Sequence, residues 1–540
     1  MTTPATCGES LIALLESYEV DTVFGIPGVH TLDLYRGLAG SSIRHVQARN
    51  EQGAGFMADG YARLSGKPGV CILISGPGVT NACTPMGQSF ADSIPVLVIS
   101  STTASDSLGK GWGCLHEVTD LEAVTRPLTA LSATAGSADE LEGLIAQAFS
   151  IFAAERPRPV HIAVPIDVLA ETVSGAWQVR RPPDRPVPTA ETINQAAALL
   201  RRADRPVIYA GGGAAGAAQT LTRIAERLDA AVITTNAGKG VVPDSHPLCL
   251  GGGIVRAPVR TFLSQADVVL AIGTEISETD SFVPKLSLTG QLIRIDIDSR
   301  KINDLYPADI GIVGDAATAA TQLLKALGPE DTSRGTAQTV SLVRRSMFDE
   351  LSDSESLHIR MLNVLRETLP DDAVIAGDIC QVIYTGAFAY PVERPRQWHY
   401  PAGYCTLGCG LPNGIGGKLA LGDTPVVVVA GDGGFMFTVQ ELVTAAELEL
   451  ALPIIVWNNA GLKQIRDDMA SREIPATGVD GRNPDFLQLA SACGCHATRP
   501  ENEEAFRDSI KGALKASGPT LIEVNEDSPW LAEDHIPDNS

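Results

Sequence analysis

Short apolar runs alternate along the chain with stretches whose apolar residues recur at helical spacing. In the first third, the runs that predict buried strands are Thr22–Gly25, 69–75 and 95–100. Continuous apolar runs, without a polar residue at every second position, are typical of parallel strands that are buried on both faces. Strands that alternate with helical stretches indicate a doubly wound α/β domain.

The same alternation returns in the middle and in the last third of the chain. In the middle, the runs 205–210, 266–273 and 292–298 predict strands, and 312–315 predicts the last of them. A chain of 540 residues is too long for one ordinary core, and three domains of common size fit it. The sequence therefore predicts an α/β protein with three doubly wound parallel-sheet domains.

Two stretches without periodicity divide these domains. Residues 173–189 are rich in proline and arginine, and residues 329–354 are polar, so both are predicted to be linkers. A polar tail is predicted from Glu533 onward. The predicted domains are residues 1–172, 190–328 and 355–532.

Composition and charge exclude several classes of partner. The net charge is −23, so a nucleic acid is not expected, because its phosphates need a basic surface. No apolar run has the length of a membrane span, and the first ten residues lack the features of a signal peptide. Ten scattered cysteines without a matching metal cluster indicate buried free thiols in a reducing, cytoplasmic location.

The most informative stretch contains two strand ends with polar side chains. The apolar run 426–430 is followed by Gly431-Asp432-Gly433-Gly434, and the run 452–457 is followed by Asn458-Asn459. A helical crossover is predicted for residues 435–450, so both strand ends would open on one crevice. Hard oxygen ligands at this place suit Mg²⁺, and glycines before a helix suit a phosphate. A glycine turn alone would have no such role.

The complete pattern resembles the diphosphate- and Mg²⁺-binding motif of thiamine diphosphate enzymes. This resemblance implies that Asp432, the side chain of Asn459 and the carbonyl of Gly461 bind the metal. It implies that Gly431, Gly433 and Gly434 contact the diphosphate.

A second resemblance covers the first third of the chain. The run EQGAGFMADGYAR, which starts at Glu51, and the later runs SGPGVTN and SFADSIPVLVIS resemble the acetolactate synthase and pyruvate oxidase group. In that group the glutamate hydrogen-bonds the aminopyrimidine ring of the cofactor and is catalytic. The two halves of each active site come from different subunits, so a homo-oligomer with interfacial active sites is implied.

Further cofactor contacts follow from the same resemblance. Leu407, in YCTLGCG, stands at the position of the apolar residue between the two cofactor rings. Gln381 matches a glutamine near the diphosphate, and Gly25 and Pro27 lie in a glycine turn that is expected to contact the cofactor. FAD, which some members bind in the central domain, is not expected, because acids replace the family's arginine in the run 273–280.

The implied activity is the decarboxylation of a 2-oxo acid that depends on thiamine diphosphate and Mg²⁺. Acetolactate synthases have a tryptophan where this chain has Asp468, a lysine at Ala130, and Phe-Gln-Glu at Leu115-His116-Glu117. These departures argue against acetolactate synthesis. The acidic pair Asp467 and Asp468, with Gln464, suits a substrate with a cationic tail.

The motif set, with GWGCLHE, looks most like decarboxylases of 5-guanidino-2-oxopentanoate (2-ketoarginine). An acetolactate-forming carboligase and an FAD-dependent oxidase stay as alternatives. A member without activity would have lost the glutamate or a metal ligand, and this chain keeps both. Asp467 and Asp468 are equally compatible with a solvated helix face. His116 and Glu117 are either proton donors or a loop pair without a role.

Overall fold

The computed structural model of the chain describes residues 5–532, and the polar tail predicted from Glu533 lies outside them. It contains three parallel sheets, of six, five and six strands, each flanked by helices. The predicted fold class, three doubly wound α/β domains, is confirmed.

The first domain is built on a six-stranded parallel sheet with the order β2-β1-β3-β4-β6-β5. Its strands are β1 (Thr22–Gly25), β2 (Arg44–Gln47), β3 (Gly69–Leu73), β4 (Val96–Thr102), β5 (Leu131–Thr134) and β6 (Val160–Pro165). Its helices are α1 (Cys7–Ser17), α2 (Leu32–Leu38), α3 (Glu51–Ser65), α4 (Pro77–Asn81), α5 (Cys83–Asp92), α6 (Leu121–Thr125), α7 (Ala138–Ala154) and α8 (Ile166–Leu169).

The central domain has a five-stranded parallel sheet with the order β11-β10-β9-β7-β8. Its strands are β7 (Pro206–Ala210), β8 (Ala231–Thr234), β9 (Val268–Ile272), β10 (Gln291–Asp296) and β11 (Ile310–Val313). Its helices are α9 (Ala190–Arg202), α10 (Ala218–Leu228), α11 (Ala257–Ser264), α12 (Glu278–Ser281) and α13 (Ala316–Leu327). A further helix, α14 (Thr336–Ser346), lies within the stretch 329–354.

The third domain repeats the strand order of the first, as β13-β12-β14-β15-β17-β16. Its strands are β12 (Val374–Gly377), β13 (Trp398–His399), β14 (Val426–Gly431), β15 (Pro453–Asn458), β16 (His496–Thr498) and β17 (Thr520–Asn525). Its helices are α15 (Asp353–Thr368), α16 (Gln381–Ala389), α17 (Gly410–Leu421), α18 (Asp432–Phe435), α19 (Glu441–Glu447), α20 (Lys463–Ser471), α21 (Phe486–Ala492), α22 (Glu503–Ala513) and α23 (Pro529–Ala532).

The first and third domains share one apolar core, in which α3 packs against α17. Glycines allow the two helices to approach closely: a Cβ at Gly60 would lie 2.3 Å from the Asn413 carbonyl oxygen, and one at Gly416 would overlap the Met57 carbonyl. Interlocking of this kind fixes the first domain against the third. It therefore fixes the two sets of predicted site residues relative to each other.

The predicted helical crossover over residues 435–450 is wrong in detail, because two short helices, α18 and α19, replace it. The break between them has a physical reason at Thr438. This buried hydroxyl donates a hydrogen bond of 2.6 Å to the carbonyl oxygen of Gly408. The chain leaves the helical path there and ties the glycine loop after β14 to the loop that carries Leu407.

Among the described residues, no helix is long and apolar enough to cross a membrane. All ten cysteines are free thiols, and five of them are buried. Cys405 is exposed, which differs from the expectation of burial.

Candidate active site

Three oxygen atoms converge where β14 and β15 end. As placed, the side-chain oxygen of Asn459 lies 2.9 Å from the Gly461 carbonyl oxygen and 3.3 Å from Oδ1 of Asp432. All three atoms are acceptors, so a hydrogen bond between them would require the Asn459 amide to be turned over. A carboxylate, an amide and a carbonyl oxygen form the ligand set that Mg²⁺ prefers.

Asp432 is buried and tightly held in this cluster. Its Oδ2 accepts hydrogen bonds from the backbone of Gly461 at 2.9 Å and from the side chain of Asn483 at 2.6 Å, which leaves Oδ1 facing the other two oxygens. Gly461 has a φ of +147°, and a Cβ there would lie 2.4 Å from the Val479 carbonyl oxygen. Glycine is therefore required at the residue whose carbonyl completes the cluster.

Asn483 comes from a segment after α20 that covers the oxygen cluster. Its amide also donates to Oδ1 of Asn458 at 3.0 Å. The segment is tied down by a hydrogen bond from Leu462 N to the carbonyl of Val479 and by an ion pair of 2.6 Å between Arg466 and Asp480. The sequence analysis did not identify Asn483 as a site residue.

The glycines after β14 lie next to three side chains from neighbouring loops. A Cβ at Gly433 would lie 2.9 Å from Leu462, and one at Gly434 would lie 3.1 Å from Asp378 and 3.3 Å from Leu407. Larger residues would therefore fill the space beside the oxygen cluster. The short helix α18 starts at Asp432 beside this space, and the N-terminus of a helix suits a phosphate.

Asp378 follows β12 in the way that Asp432 follows β14. Its buried carboxylate accepts hydrogen bonds from the backbone of Gly408 at 3.1 Å, Gly410 at 3.0 Å and Ile379 at 2.7 Å. Burial raises the pKa of this carboxyl to about 6, although the backbone hydrogen bonds oppose the rise. Asp378 therefore sets the path of the loop that presents Leu407, which is half-buried.

The predicted substrate residues meet the predicted diphosphate residue. The side-chain amide of Gln381 donates to Oε1 of Gln464 and to Oδ2 of Asp467, both at 3.2 Å, and Gln464 donates to Asp468 at 3.3 Å. All three residues on α20 are exposed in the single chain. The structure thus joins these four residues into one polar group beside Gly461.

Glu51, the first residue of α3, lies on the first domain at the carboxyl edge of its sheet. It is half-buried and accepts a hydrogen bond of 2.9 Å from Asn81, and its Oε1 lies 3.7 Å from the position of a Cβ at Gly78. Within residues 5–532, no hydrogen bond joins Glu51 to the oxygen cluster of Asp432. The predicted site residues therefore form two separate groups in the described chain, one on the first domain and one on the third, which we call half-sites.

The glycine turn with Gly25 and Pro27 lies at the same edge. A Cβ at Gly25 would overlap the Ile72 carbonyl, so glycine there lets β1 and β3 lie side by side. Pro27 is exposed next to it. Both residues thus lie on the first domain, and within residues 5–532 neither forms a hydrogen bond with the glycine loop of the third domain.

Glu117 has a structural role in its own loop. Its carboxylate accepts hydrogen bonds from the backbone N–H groups of four consecutive residues, at 2.8 to 3.3 Å, which are Gly111, Trp112, Gly113 and Cys114. Burial acts to raise its pKa, but these four donors hold the pKa below the ordinary value. An ionised carboxylate with this many donors braces the loop and is poorly suited to give up a proton. His116, in contrast, has a buried Nδ1 with no partner among the described atoms.

Each domain also braces the functional loop of the other. Glu441, the first residue of α19, is fully buried and accepts hydrogen bonds of 3.1 Å from the backbone of Arg49 and Asn50, directly before Glu51. In return, Asp92 at the end of α5 accepts a hydrogen bond of 2.8 Å from Gly403, before Leu407. Sequence patterns did not indicate these braces, because they connect residues more than three hundred positions apart.

In the central domain, two of the three acids of the run 273–280, Glu275 and Asp280, already have partners. Glu275 forms ion pairs with Arg156 at 2.5 Å and Lys301 at 2.7 Å. Asp280 is buried and accepts hydrogen bonds from the backbone and side chain of Asn236. Glu278 is exposed.

Comparison with known families and proteins adds an independent line of evidence. Three family models of thiamine pyrophosphate enzymes match the chain. The model of the N-terminal TPP binding domain matches residues 5–123, that of the central domain residues 193–323, and that of the C-terminal TPP binding domain residues 378–524.

Individual proteins match along almost the whole chain. The "Probable 2-ketoarginine decarboxylase AruI" of Pseudomonas aeruginosa is 50% identical over 523 residues, which cover 96% of this chain and 94% of that protein. The acetolactate synthase isozyme 1 large subunit of Escherichia coli is 31% identical over 542 residues, covering 97% of this chain and 94% of its own. The acetolactate synthase large subunit IlvB1 of Mycobacterium tuberculosis is 33% identical over 538 residues, covering 94% and 86%.

Proposed function

The chain belongs to the thiamine pyrophosphate enzyme family, and from that premise we propose that it decarboxylates a 2-oxo acid with a cationic tail, using Mg²⁺. The best candidate substrate is 5-guanidino-2-oxopentanoate, which would yield 4-guanidinobutanal and CO₂. The observation that carries the proposal is the polar group of Gln381, Gln464, Asp467 and Asp468 beside the oxygen cluster. The 50% identity to the probable 2-ketoarginine decarboxylase supports the same substrate.

The residues present fit the cofactor. Asp432, Asn459 and Gly461 would hold Mg²⁺, because the side-chain amide of Asn459 lies within 3.3 Å of both the Gly461 carbonyl oxygen and Oδ1 of Asp432. The backbone from Gly431 to Gly434 would hold the diphosphate, and Leu407 would support the bent shape of the cofactor. When bound, thiamine diphosphate supplies the electron sink that makes the loss of CO₂ possible.

The protein's own part of the reaction is orientation and proton movement. A 2-oxo acid anion and one proton give an aldehyde and CO₂, so a proton must reach the former carbonyl carbon. The carboxylate of Glu51, which accepts a hydrogen bond from Asn81, would exchange a proton with a ring nitrogen of the pyrimidine. Gln381 sets the position of Asp467, whose carboxylate would meet the far end of the substrate.

An acidic pair recognises a guanidinium better than it recognises an uncharged chain. The planar guanidinium forms two parallel hydrogen bonds to a carboxylate, and such charge-assisted pairs are among the stronger polar contacts. If one such pair forms in a partly closed site, a preference of roughly ten- to hundredfold over an uncharged substrate is expected.

A panel of 2-oxo acids tests this function. We expect 5-guanidino-2-oxopentanoate to have a higher kcat/KM for CO₂ release than pyruvate or 2-oxopentanoate. The substitutions Asp468→Asn and Asp467→Asn should remove most of that preference. Asp508→Asn, an exposed acid on α22, serves as the matched control and should keep it. Pyruvate as the best substrate, with acetolactate as the product, would instead support an acetolactate-forming carboligase.

The assembly proposed with this function is a homo-oligomer whose active sites lie between subunits. Large apolar side chains are exposed beside both half-sites in the single chain: Val29, Leu32, Trp112 and Leu115 on the first domain, and Met436, Phe437, Leu462 and Ile465 on the third. Exposed apolar residues concentrated next to polar site residues are typical of an interface. Pairing the two edges would bring Glu51 to the oxygen cluster of a second chain.

The central domain is proposed to lack FAD. The ion pairs of Glu275 with Arg156 and Lys301 fill the run in which the family's arginine would meet the FAD diphosphate. Because Glu275 engages both of these cations, they are not free to pair with a diphosphate. The absorbance spectrum of the purified protein, without a flavin band, is the expected result.

A further inference from the structure

A pair of aromatic rings lies where the central domain meets the third domain. The ring of Phe282, at the end of α12, and the ring of Tyr384, on α16, are 5.8 Å apart between centroids and are inclined by 74°. Phe282 is 54% exposed, although phenylalanine is among the residues that are most often buried. Much of this ring is therefore accessible to a ligand.

The backbone at Phe282 is strained. Its φ of +53° and ψ of 27° are left-handed, a conformation that is an outlier for a bulky residue and that glycine usually adopts at the end of a helix. The turn is held by a hydrogen bond of 2.7 Å from the Phe282 backbone N–H to the Glu278 carbonyl, and by Asn236, which donates to the buried Asp280. Strain that is retained under an exposed side chain is typical of a ligand-binding position.

The second ring is fixed by close packing between the two domains. The helix α16 approaches the central domain so closely that a Cβ at Gly252 would lie 2.3 Å from the carbonyl oxygen of Ala387. Tyr384 also makes an edge contact with Tyr400, with ring centroids 6.2 Å apart. The position of the Tyr384 ring is therefore built into the fold.

The helix α16 connects the aromatic pair with the predicted site. Tyr384 follows Gln381 by three positions, so the two side chains are neighbours on the helix surface, and Gln381 donates to Asp467. Burial raises the pKa of the Tyr384 hydroxyl, and the nearby Cys405 and Asp378 add to the rise. Tyr384 therefore adjoins both the polar group on α20 and the loop that Asp378 braces.

Within residues 5–532, no lysine or arginine of the chain lies over the ring of Phe282 or Tyr384. Elsewhere the chain does form such contacts, and the guanidinium of Arg256 lies 4.9 Å from the ring centre of Phe388. An exposed ring beside a group of acids, without a cation of its own, suits the cation of a ligand.

We propose that Phe282 is a specificity-determining residue whose ring, backed by Tyr384, stacks on the guanidinium of the substrate. This inference rests on the proposed function and adds a residue of the central domain to the substrate site. A planar guanidinium can pair through its edge with a carboxylate, such as that of Asp467, and offer its face to an aromatic ring. The methylene groups between the carbonyl and the guanidinium let the tail extend from the Leu407 loop to this ring.

Steady-state kinetics of the Phe282→Leu holoenzyme with 5-guanidino-2-oxopentanoate and with 2-oxopentanoate test the proposal. Leucine keeps an apolar side chain but has no aromatic face, so kcat/KM for the guanidino acid should fall roughly three- to thirtyfold. The contact is present before and during the reaction, so the loss should appear in KM, with kcat nearly unchanged. For 2-oxopentanoate, which has no cation, kcat/KM should stay within about twofold of the wild type.

Two further substitutions keep an aromatic ring at this position. Phe282→Tyr should retain the preference for the guanidino acid, and Phe282→Trp should retain or strengthen it, because tryptophan offers a cation the best ring. The matched control is Phe348→Leu, at another exposed phenylalanine, whose ring centroid lies 5.9 Å from that of Phe388. Phe388 already has Arg256 over its ring, so kcat/KM for both substrates should be retained.

Binding of 4-guanidinobutanoate to the holoenzyme measures the same contact without turnover. By isothermal titration calorimetry, its Kd should rise roughly three- to thirtyfold in Phe282→Leu and stay unchanged in Phe348→Leu. Circular dichroism and thermal unfolding of every variant check the fold.

Two results would overturn the proposal. One is an equal fall of kcat/KM for both substrates in Phe282→Leu, which would mean that the ring only supports the fold. The other is an unchanged preference for the guanidino acid, or an unchanged Kd for 4-guanidinobutanoate. If Phe282→Leu does not fold, Phe282→Tyr and Phe282→Trp decide, and loss of the preference in both counts against stacking. A wild-type enzyme that releases no CO₂ from any 2-oxo acid would instead refute the proposed function.

Discussion

At the scale of single residues, the polar side chains of the predicted site lie where strands end. Asp378, Asp432 and Asn459 each follow a strand of the third sheet. Asp378 braces the loop with Gly408, whereas Asp432 and Asn459 belong to the oxygen cluster. Parallel strands place such residues along one edge, at which ligands of open α/β sheets bind. Residues that are far apart in the sequence therefore come together in one site, because the strands they follow are neighbours in the sheet.

The role of Glu51 is tested by the isosteric change Glu51→Gln. The amide keeps the size of the side chain and the contact with Asn81, but it cannot exchange a proton. We expect the fold and cofactor binding to be retained, while kcat falls by roughly 10²- to 10⁴-fold. Glu191→Gln, at an exposed first-turn glutamate of α9, is the control. Near-normal turnover of Glu51→Gln would make Glu51 an ordinary helix-start residue.

Asn483 should tune the metal site without binding the metal. It holds Oδ2 of Asp432, so the change Asn483→Ala would let the carboxylate turn away from the other two oxygens. Loss of a partner of this kind usually weakens metal binding by about 10- to 100-fold. Titration of chelator-treated protein with Mg²⁺, in the presence of thiamine diphosphate, measures the shift. Arg482→Ala, at its exposed neighbour, should leave the Mg²⁺ affinity unchanged.

Sequence patterns could identify the residues at strand ends but not those that approach from elsewhere. Asp432 and Asn459 follow apolar runs, so their place in the sheet could be predicted. Asn483 lies in a polar stretch without periodicity, and its contact with Asp432 exists only because the segment after α20 folds back. Contacts that depend on such tertiary folding leave no local signal.

At the scale of elements, the first and third domains act as a pseudo-symmetric pair. The helices α3 and α17 occupy equivalent places in the two sheets and pack together, and α5 and α19 are also equivalent. Asp92, at the end of α5, holds the loop that precedes α17. Glu441, at the start of α19, holds the loop that precedes α3. The arrangement orients Glu51 and the Leu407 loop by the same device.

The break between α18 and α19 shows why element boundaries were harder to predict than element types. Residues 435–450 carry apolar residues at helical spacing, yet Thr438 leaves the helix to reach the Gly408 carbonyl. A buried hydroxyl gains a hydrogen bond there that a continuous helix would deny it. Local periodicity contains no information about that partner.

Asp280, on helix α12, is predicted to make the stability of the folded chain depend on pH. Burial raises the pKa of Asp280 to about 7, whereas an aspartate in the unfolded chain ionises near pH ~3.9. Between these values the folded chain holds the extra proton, so this group's contribution to the free energy of unfolding falls as pH rises. Asp280→Asn removes that titration and keeps an acceptor for Asn236. The melting temperature of the variant relative to the wild type should therefore rise from pH 5 to pH 8.

The matched control for this experiment is Glu278→Gln, an exposed residue on the same helix. Its melting temperature relative to the wild type should not depend on pH in this window. A difference between Asp280→Asn and the wild type that stays constant from pH 5 to pH 8 would mean that Asp280 titrates alike in the folded and unfolded chains.

At the scale of the whole molecule, no hydrogen bond joins the two half-sites within residues 5–532. The edge with Glu51 and the edge with the oxygen cluster both expose large apolar side chains, such as Trp112, which is 66% exposed, and Phe437, which is 54% exposed. Side chains of this size usually become buried in a stable assembly. A two-fold symmetric dimer could cover both edges at once, because a symmetric contact uses each patch twice.

Complementation between two inactive variants tests whether the active sites lie between subunits. Glu51→Gln damages one half-site and Asp432→Ala the other, so each homodimer should be inactive. In a mixed dimer, one site would combine the intact Glu51 of one subunit with the intact Asp432 of its partner. Random exchange gives half mixed dimers with one of two sites restored, so about a quarter of the wild-type activity should return. Unfolding and refolding the two variants together, beside each variant refolded alone, measures this gain. No gain in a mixture that size exclusion and differential tagging show to contain mixed dimers would mean that Glu51 and Asp432 serve the same chain's site.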